Sequence, residues 1–475
     1  MIEKNKENKN STIGSSLLPI LEEYGVDIIF GIPGVHTVEI YRGLQKTSIK
    51  HITPRHEQGA GFMADGYSRV SGKPAVCLVI TGPGLTNILT AMAQARADSI
   101  PMLIISSVNP YDNKRKHSGL LHELPHQQKL LKKIAISSFT VKKTKDLLPA
   151  IKKSFLKMLE ERPGPVHLEI PTNVLNYEYQ KLKKNNLCIK KKKIKSSEKK
   201  INEVSNYLTH AKYPVLLLGG GARGCDEYIL KIVEKLSPYV ITTINARGIL
   251  GDHSMCIPAS PTLKTVRKEL KKADVVLAVG TEFGETDYDM YKDGNFPKLK
   301  KLIRVDINKN QLTKNIQPYL SIRSDAIYFF KKLSEILLVK KHYKKSSLQT
   351  PQTAKIIRKL CLKEIEPKFK VPLNLISTIS SNFPDAILVG DSTQPTYAGN
   401  LYTKTSKQGK WFNSATGYGT LGYAPPASIG AKLAKPNKPV ICIVGDGGLQ
   451  FSLSELMTAS EEKIAVIFLI WNNFG

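Results

Sequence analysis

The sequence predicts an α/β protein made of three doubly wound parallel-sheet domains, the last of them incomplete. Three observations predict it. Short apolar runs of strand length recur along the chain, several closed by a glycine-containing turn. Amphipathic stretches of helix length lie between them, the alternation that builds parallel βαβ units. Two polar, Lys-rich stretches, 180–203 and 338–352, interrupt that alternation and divide it into three. The length of 475 residues agrees, because about 150 residues per domain gives roughly three.

The first domain is expected over 11–179. VDIIFGIPG (26–34), AVCLVITGPG (75–84) and MLIISS (102–107) read as buried strands, with helices over Glu57–Val70 and Leu85–Ala97. The second is expected over 204–338, with strands in PVLLLGGGARG (214–224), YVITTIN (239–245), ADVVLAVGTEFG (273–284) and LIRVDIN (302–308). The third is expected over 353–475. It contains AILVGDST (386–393), YGTLGYAPPASIGAKLA (418–434), PVICIVGDGG (439–448) and IAVIFLIWNN (464–473). The chain stops directly after that last strand. A parallel sheet needs a following helix to cover its face, so a C-terminal piece is expected to be missing.

Composition bounds the function. Hydrophobic residues make up 41% and charged residues 23%, ordinary globular values that exclude a disordered chain, a collagen or a coiled-coil rod. The six cysteines form no CxxC pair, which predicts free thiols in a reducing compartment. The N-terminus is polar and no apolar run is long enough to span a bilayer, so a cytoplasmic protein without membrane partners is expected. The net charge is +30, but only 12 of the 70 basic residues are Arg. Single-strand nucleic-acid binders interleave cations with stacking aromatics. The runs at Lys190–Lys193 and Lys340–Lys345 do not, and they read as solvated faces and linkers with no nucleic-acid partner.

Two motifs carry chemistry. In the first, Gly445-Asp446-Gly447 ends one apolar strand and Asn472-Asn473 ends the next. Parallel neighbours end at the same sheet edge, where ligands bind. Asp446 and Asn473 can therefore meet there, and their oxygens suit Mg²⁺. Backbone N–H groups around Gly447 and Gly448, at a helix start, suit a diphosphate. An ordinary Asp-Gly turn would explain GDG alone, but not GDG followed at that distance by NN. The second motif is PRHEQGAGFMADGYSR (54–69). It puts Glu57 at a helix start, with Gly59, Ala60, Gly61 and Ala64 making a face for close packing. Glu57 also fits a plain capping carboxylate at a helix N-terminus.

Together these motifs, with FGIPG (30–34), TGPGLTN (81–87), GGGARG (219–224) and GYGTLGYAPPASIGA (417–431), resemble the thiamine diphosphate-dependent 2-oxo acid decarboxylase and acetolactate synthase superfamily. The resemblance runs from about Gly25 to Gly475 and implies pyrimidine-binding, central and diphosphate-binding domains. It implies that Glu57 hydrogen-bonds a pyrimidine nitrogen of the cofactor. It further implies that Asp446, Asn473 and the Gly475 carbonyl hold Mg²⁺, with Gly445, Gly447 and Gly448 at the diphosphate. Gly390, Asp391, Ser392, Thr393 and Gln394 match a second diphosphate contact region. Leu421 stands where the superfamily places an apolar support under the cofactor; a core side chain is the plainer reading. A homodimer, or a tetramer, is implied as the working unit.

GIPGVHTVEIYRGL (31–44), SGLLHELPHQQ (118–128), GTEFGETDYDM (280–290) and GDSTQPTYAGN (390–400) are most similar to the branch that decarboxylates 5-guanidino-2-oxopentanoate. A guanidinium calls for carboxylates in fork geometry. Glu282, Glu285, Asp287, Asp289 and Glu123 are the candidates, against the reading of a solvated acidic loop. Gly219, Gly221 and Gly224 fit GxGxxG, but the next strand ends in Asn245 instead of an acid, so no flavin is expected. An acetolactate synthase-like carboligase, and an inactive truncated subunit that binds a full-length partner, remain as alternatives.

Overall fold

A computed structural model of the chain describes residues 11–110, 119–179, 194–288, 297–341, 343 and 345–474. It contains three sheets, all of parallel strands, distributed over two compact units.

One unit holds the first sheet, together with Pro425–Pro436 and Ser452–Ala465. Its strands are β1 (Ile28–Gly31), β2 (Lys50–Ile52), β3 (Ala75–Val79), β4 (Met102–Val108), β5 (Ser137–Thr140) and β6 (Pro165–Pro171), in the order β2-β1-β3-β4-β6-β5. Central β3 and β6 are buried along their whole length and β4 along all but its last residue, as expected for a parallel sheet covered on both faces. Helix Ile13–Glu23 is started by a Thr12–Ser15 capping box and turns Leu17, Leu18 and Leu21 into the core. Helix Leu147–Glu160 adds Ile151, Phe155 and Met158. Helix Glu57–Ser71 buries Ala60, Phe62, Met63 and Ala64.

The small-residue face expected on that helix is used. A Cβ on Gly61 would lie 2.4 Å from the Ala91 Cβ, and one on Gly66 would lie 2.0 Å from the Ala427 carbonyl oxygen. From the facing helix Ala424–Ala434, a Cβ on Gly430 would lie 1.9 Å from the Met63 carbonyl oxygen. The predicted helix 85–97 is two helices, Pro83–Asn87 and Leu89–Ala97.

The other unit holds two sheets. The first has β7 (Pro214–Leu218), β8 (Tyr239–Thr242), β9 (Cys256–Ile257), β10 (Val275–Val279), β11 (Leu302–Asp306) and β12 (Leu320–Arg323), in the order β12-β11-β10-β7-β8-β9. The second has β13 (Ile387–Gly390), β14 (Trp411–Asn413), β15 (Val440–Gly445) and β16 (Ile467–Trp471), in the order β14-β13-β15-β16. It is the smallest of the three. Arg247 is fully buried here. Its guanidinium donates to the Thr242 carbonyl (2.6 Å) and hydroxyl (3.0 Å) and to the Asn400 carbonyl (3.1 Å).

Cys77, Cys225, Cys256, Cys361 and Cys442 are buried free thiols; Cys188 lies outside the described residues. Among the described residues, no helix is long and apolar enough to cross a membrane.

Candidate functional site

Glu57 is the first residue of its helix. His56 precedes it as the N-cap, and its Nδ1 accepts from the Gln58 N–H at 3.1 Å. The Glu57 carboxylate is partly exposed, so it has access to a ligand. One oxygen, Oε2, accepts from the Asn87 amide at 2.9 Å. The other, Oε1, faces Gly84, where an added Cβ would lie 3.2 Å away. TGPGLTN therefore orders the carboxylate in two ways: Asn87 fixes one oxygen and Gly84 leaves room beside the other.

In the second unit, β15 and β16 pair in parallel with Gly445 opposite Trp471. Asp446 and Asn472 thus leave neighbouring strand ends on the same edge, with Asn473 one residue on. Gly445 caps the short helix Asp446–Gln450 without a side-chain hydrogen bond. A Cβ on Gly447 would meet nothing within 4 Å, so the backbone there is open. Among the described residues, no three His, Cys, Asp or Glu side chains gather as a metal site. A cation at Asp446 would take amide and carbonyl oxygens instead, a donor set that fits Mg²⁺. Gly475 lies outside the described residues.

The Gly390–Gln394 segment follows β13 at the same edge. Asp391 is fully buried. Its Oδ1 accepts from the N–H groups of Ser392 (2.9 Å) and Gly422 (3.2 Å), and its Oδ2 from Ala424 (2.9 Å). Burial pushes its carboxyl pKa up, against those donors. Asp391 therefore pins the turn that carries Leu421. Gly419 and Gly422 hold left-handed φ values of 73° and 70° in that turn. Leu421 is 42% exposed, so it is not a core side chain. Thr393 lies against Gly445, whose added Cβ would be 3.1 Å from Thr393 Oγ1. Gln394 Oε1 accepts from the Trp471 indole N–H at 3.2 Å. Ser392 Oγ lies 3.2 Å from Ser414 Oγ, and Gly390 packs against Thr396.

The acids divide. Glu282 lies in the loop that leads into the short helix Glu285–Tyr288, which carries Glu285 and Asp287, in the second unit. Thr286 on that helix donates to the Thr416 carbonyl at 2.8 Å, which joins it to the Leu421 segment. The Asp287 carboxylate accepts from the Ile244 N–H at 3.0 Å. Glu285 is exposed and Glu282 half-buried. Glu123 is in the other unit, where its carboxylate accepts from the Gly119 N–H at 3.1 Å. Asp289 lies outside the described residues. The central glycines have a packing use. Gly219 and Gly221 lie so close to Gly280 that an added Cβ would come within 2.1 Å and 2.9 Å of its backbone.

Two residues were not singled out from sequence. Asn87 ends a recognised motif, and a polar side chain after a Gly-Pro-Gly turn at a sheet edge was its signal. Glu455 lies 1% exposed against the start of the Glu57 helix. Its position in the sequence offers no sign of that.

Three family models match the chain: the N-terminal TPP binding domain of thiamine pyrophosphate enzymes over residues 11–130, their central domain over 201–333 and their C-terminal TPP binding domain over 391–475. The chain is 38% identical to the probable 2-ketoarginine decarboxylase AruI of Pseudomonas aeruginosa, over 98% of this chain and 82% of the relative. It is 31% identical to the acetolactate synthase isozyme 1 large subunit of Escherichia coli, over 98% of this chain and 82% of the relative. It is 33% identical to an acetolactate synthase large subunit of Buchnera aphidicola subsp. Acyrthosiphon pisum, over 95% of this chain and 80% of the relative.

Proposed function

The chain belongs to the thiamine pyrophosphate enzymes, and from that premise we propose that it decarboxylates 5-guanidino-2-oxopentanoate (2-ketoarginine) to 4-guanidinobutanal and carbon dioxide. The observation that carries the substrate is the 38% identity to the 2-ketoarginine decarboxylase across 98% of this chain.

When bound, thiamine diphosphate supplies the electron sink that takes up the pair left by departing carbon dioxide. Glu57, ordered by Asn87, would hydrogen-bond a pyrimidine nitrogen of the cofactor. Asp446, Asn473 and the Gly475 carbonyl would supply oxygens to Mg²⁺. The N–H groups of Gly447 and Gly448 would hold the diphosphate, together with Gly390, Ser392, Thr393, Gln394 and Gly445. Asp391 holds the turn that carries Leu421, which would give the cofactor apolar support. Glu285 and Glu282 meet the substrate guanidinium; the Thr286–Thr416 hydrogen bond supports this by tying their stretch of chain to the Leu421 segment. Asp287 and Glu123 already bond backbone N–H groups and are weaker candidates. No flavin is required; the use of Gly219 and Gly221 in packing against Gly280 supports this. The working unit is a homodimer or tetramer in the cytoplasm, and the domains span 11–179, 204–338 and 353–475.

The test is carbon dioxide release from 5-guanidino-2-oxopentanoate with added thiamine diphosphate and Mg²⁺, with product identification. Appearance of 4-guanidinobutanal is expected. Glu57→Gln should lower kcat on the order of a hundredfold while cofactor binding persists. The 31–33% identical acetolactate synthases favour a second reading, carboligation. Acetolactate from pyruvate, with no guanidino aldehyde, would replace the first reading by the second.

A further inference from the structure

Glu455 is a carboxylate where a carboxylate is costly. It starts helix Glu455–Glu461 and is 1% exposed. Burial pushes its carboxyl pKa up. A group buried this deeply needs partners, and its partners are specific. Oε1 accepts from the N–H groups of Arg55 (3.1 Å) and His56 (3.2 Å), which also places Arg55 N 3.2 Å from Oε2. Oε2 accepts from the Thr458 hydroxyl at 2.8 Å. The next residue after His56 is Glu57.

The fit extends one turn into the Glu57 helix. A Cβ on Gly59 would lie 2.2 Å from Glu455 Oε1, so only glycine leaves room for this carboxylate. Two further contacts tie the chain leading into that helix to the same segment: Arg55 pairs with Glu461, and Lys50 of β2 pairs with Glu462 at 3.1 Å. Those pairs are solvent-exposed and add little. The buried contact differs in kind, because it fixes two successive peptide groups that set the direction of the Glu57 side chain. His56 caps the helix from within and Glu455 holds the cap from outside.

We propose that Glu455 is a positioning residue for Glu57: it fixes the backbone at 55–56 so that the Glu57 carboxylate points at its partner with no reorganisation. The inference rests on the role given to Glu57 above. A misplacement near 1 Å at a reacting group costs up to about a hundredfold in rate. Docking one helix against another would not require a buried polar acceptor. The N–H groups of Arg55 and His56, before and at the helix start, do require one, because they have no intrahelical partner.

The test compares Glu455→Gln with Glu57→Gln, and with Glu461→Gln and Glu462→Gln as controls on the same helix. Glu455→Gln keeps the shape but replaces one acceptor oxygen by a donor facing N–H groups. Its kcat should fall by about tenfold to a hundredfold, with KM for the 2-oxo acid unchanged. Hydrogen exchange at the amides of 55 and 56 should quicken while the rest of the chain stays protected. On titration with thiamine diphosphate and Mg²⁺, its near-ultraviolet circular dichroism should lose the same pyrimidine signal that Glu57→Gln loses. The two controls should stay within twofold of the parent.

Near-parent kcat and exchange in Glu455→Gln would overturn the proposal. So would a fall shared equally by the controls, or one accompanied by general loss of protection, since either means simple docking. If Glu455→Gln does not fold, Thr458→Val removes one donor to the same carboxylate and should show a smaller loss of the same kind; parent-like behaviour there overturns the proposal. A parent chain that binds cofactor but turns over no 2-oxo acid would sink the proposed function. The dichroism and exchange comparisons would still decide the role of Glu455.

Discussion

His167 sits on β6, an interior strand of the first sheet, with no exposed surface. Each ring nitrogen lies 2.8 Å from a serine hydroxyl, Nε2 from Ser106 and Nδ1 from Ser138. A neutral imidazole satisfies both serines, one as donor and one as acceptor. Burial pushes its pKa down to about 3 from 6.5. Between those values the unfolded chain binds the extra proton and the folded chain does not, so stability rises with pH. It is fully present above about pH 6.5 and lost as pH falls toward 3. This one residue should make urea-unfolding stability about 2 kcal/mol lower at pH 5 than at pH 7. His167→Gln should flatten that dependence, and an unchanged slope would show that the proton goes elsewhere. Legibility at this scale followed local context. Glu57 and Asp446 could be singled out as candidates because each stands in a short motif whose chemistry is local. Glu455 could not, because its partners are 399 and 400 residues away. In sequence it is one more acid on a short helix.

Among the elements, strands with a continuous apolar run and a Gly-rich end were readable: β1, β3, β7, β10, β13 and β15 all lie where such runs stand. β6 was not. Its sequence PVHLEIP alternates polar and apolar like a half-exposed strand, yet all seven residues are buried. The reason is a polar network. His167 bonds the two serines, and Glu169 accepts from Thr140 (2.7 Å) and Gln127 (3.0 Å). Gln127 in turn accepts from Thr81 at 2.8 Å. No periodicity shows that polar residues will find each other inside. The helix crossing is a different case: the small residues Gly59, Ala60, Gly61 and Ala64 announced close packing, but not the contacts of Gly66 and Gly430. Gly430 and Gly66 allow backbone to touch backbone. Gly430→Ala would place a methyl group against the Met63 carbonyl and force the helices apart. An overpacking cost of about 1–3 kcal/mol is expected, seen as a melting temperature lower by several degrees. An unchanged melting temperature would mean that the crossing can widen freely.

Across the whole molecule, the three sheets were foreseeable because parallel sheets demand buried, apolar strands, and those leave a strong trace. The fine division of contacts was not. Residues 425–436 and 452–465 pack with the first sheet although they lie far along the chain. The net charge of +30 has no counterpart in the described core, where the buried cations Arg69, Arg247 and Arg304 each meet carboxylates or carbonyl groups. The buried cysteines distribute differently: Cys77 is in β3, Cys225 and Cys256 lie around the second sheet, Cys361 is on helix Pro351–Glu364 and Cys442 is in β15. Burial holds the thiols of Cys77, Cys225, Cys256 and Cys361 well above their usual ionisation range, so the reactive thiolate is scarce even before access is considered. An alkylating reagent can therefore modify each one only when its surroundings open. The molecule thus carries a clock in each sheet, set by local opening and readable by mass spectrometry of the labelled peptides. Ligand binding at the end of β15 should slow modification of Cys442 more than that of Cys77. Equal rates at all five would mean that the chain opens as one cooperative body.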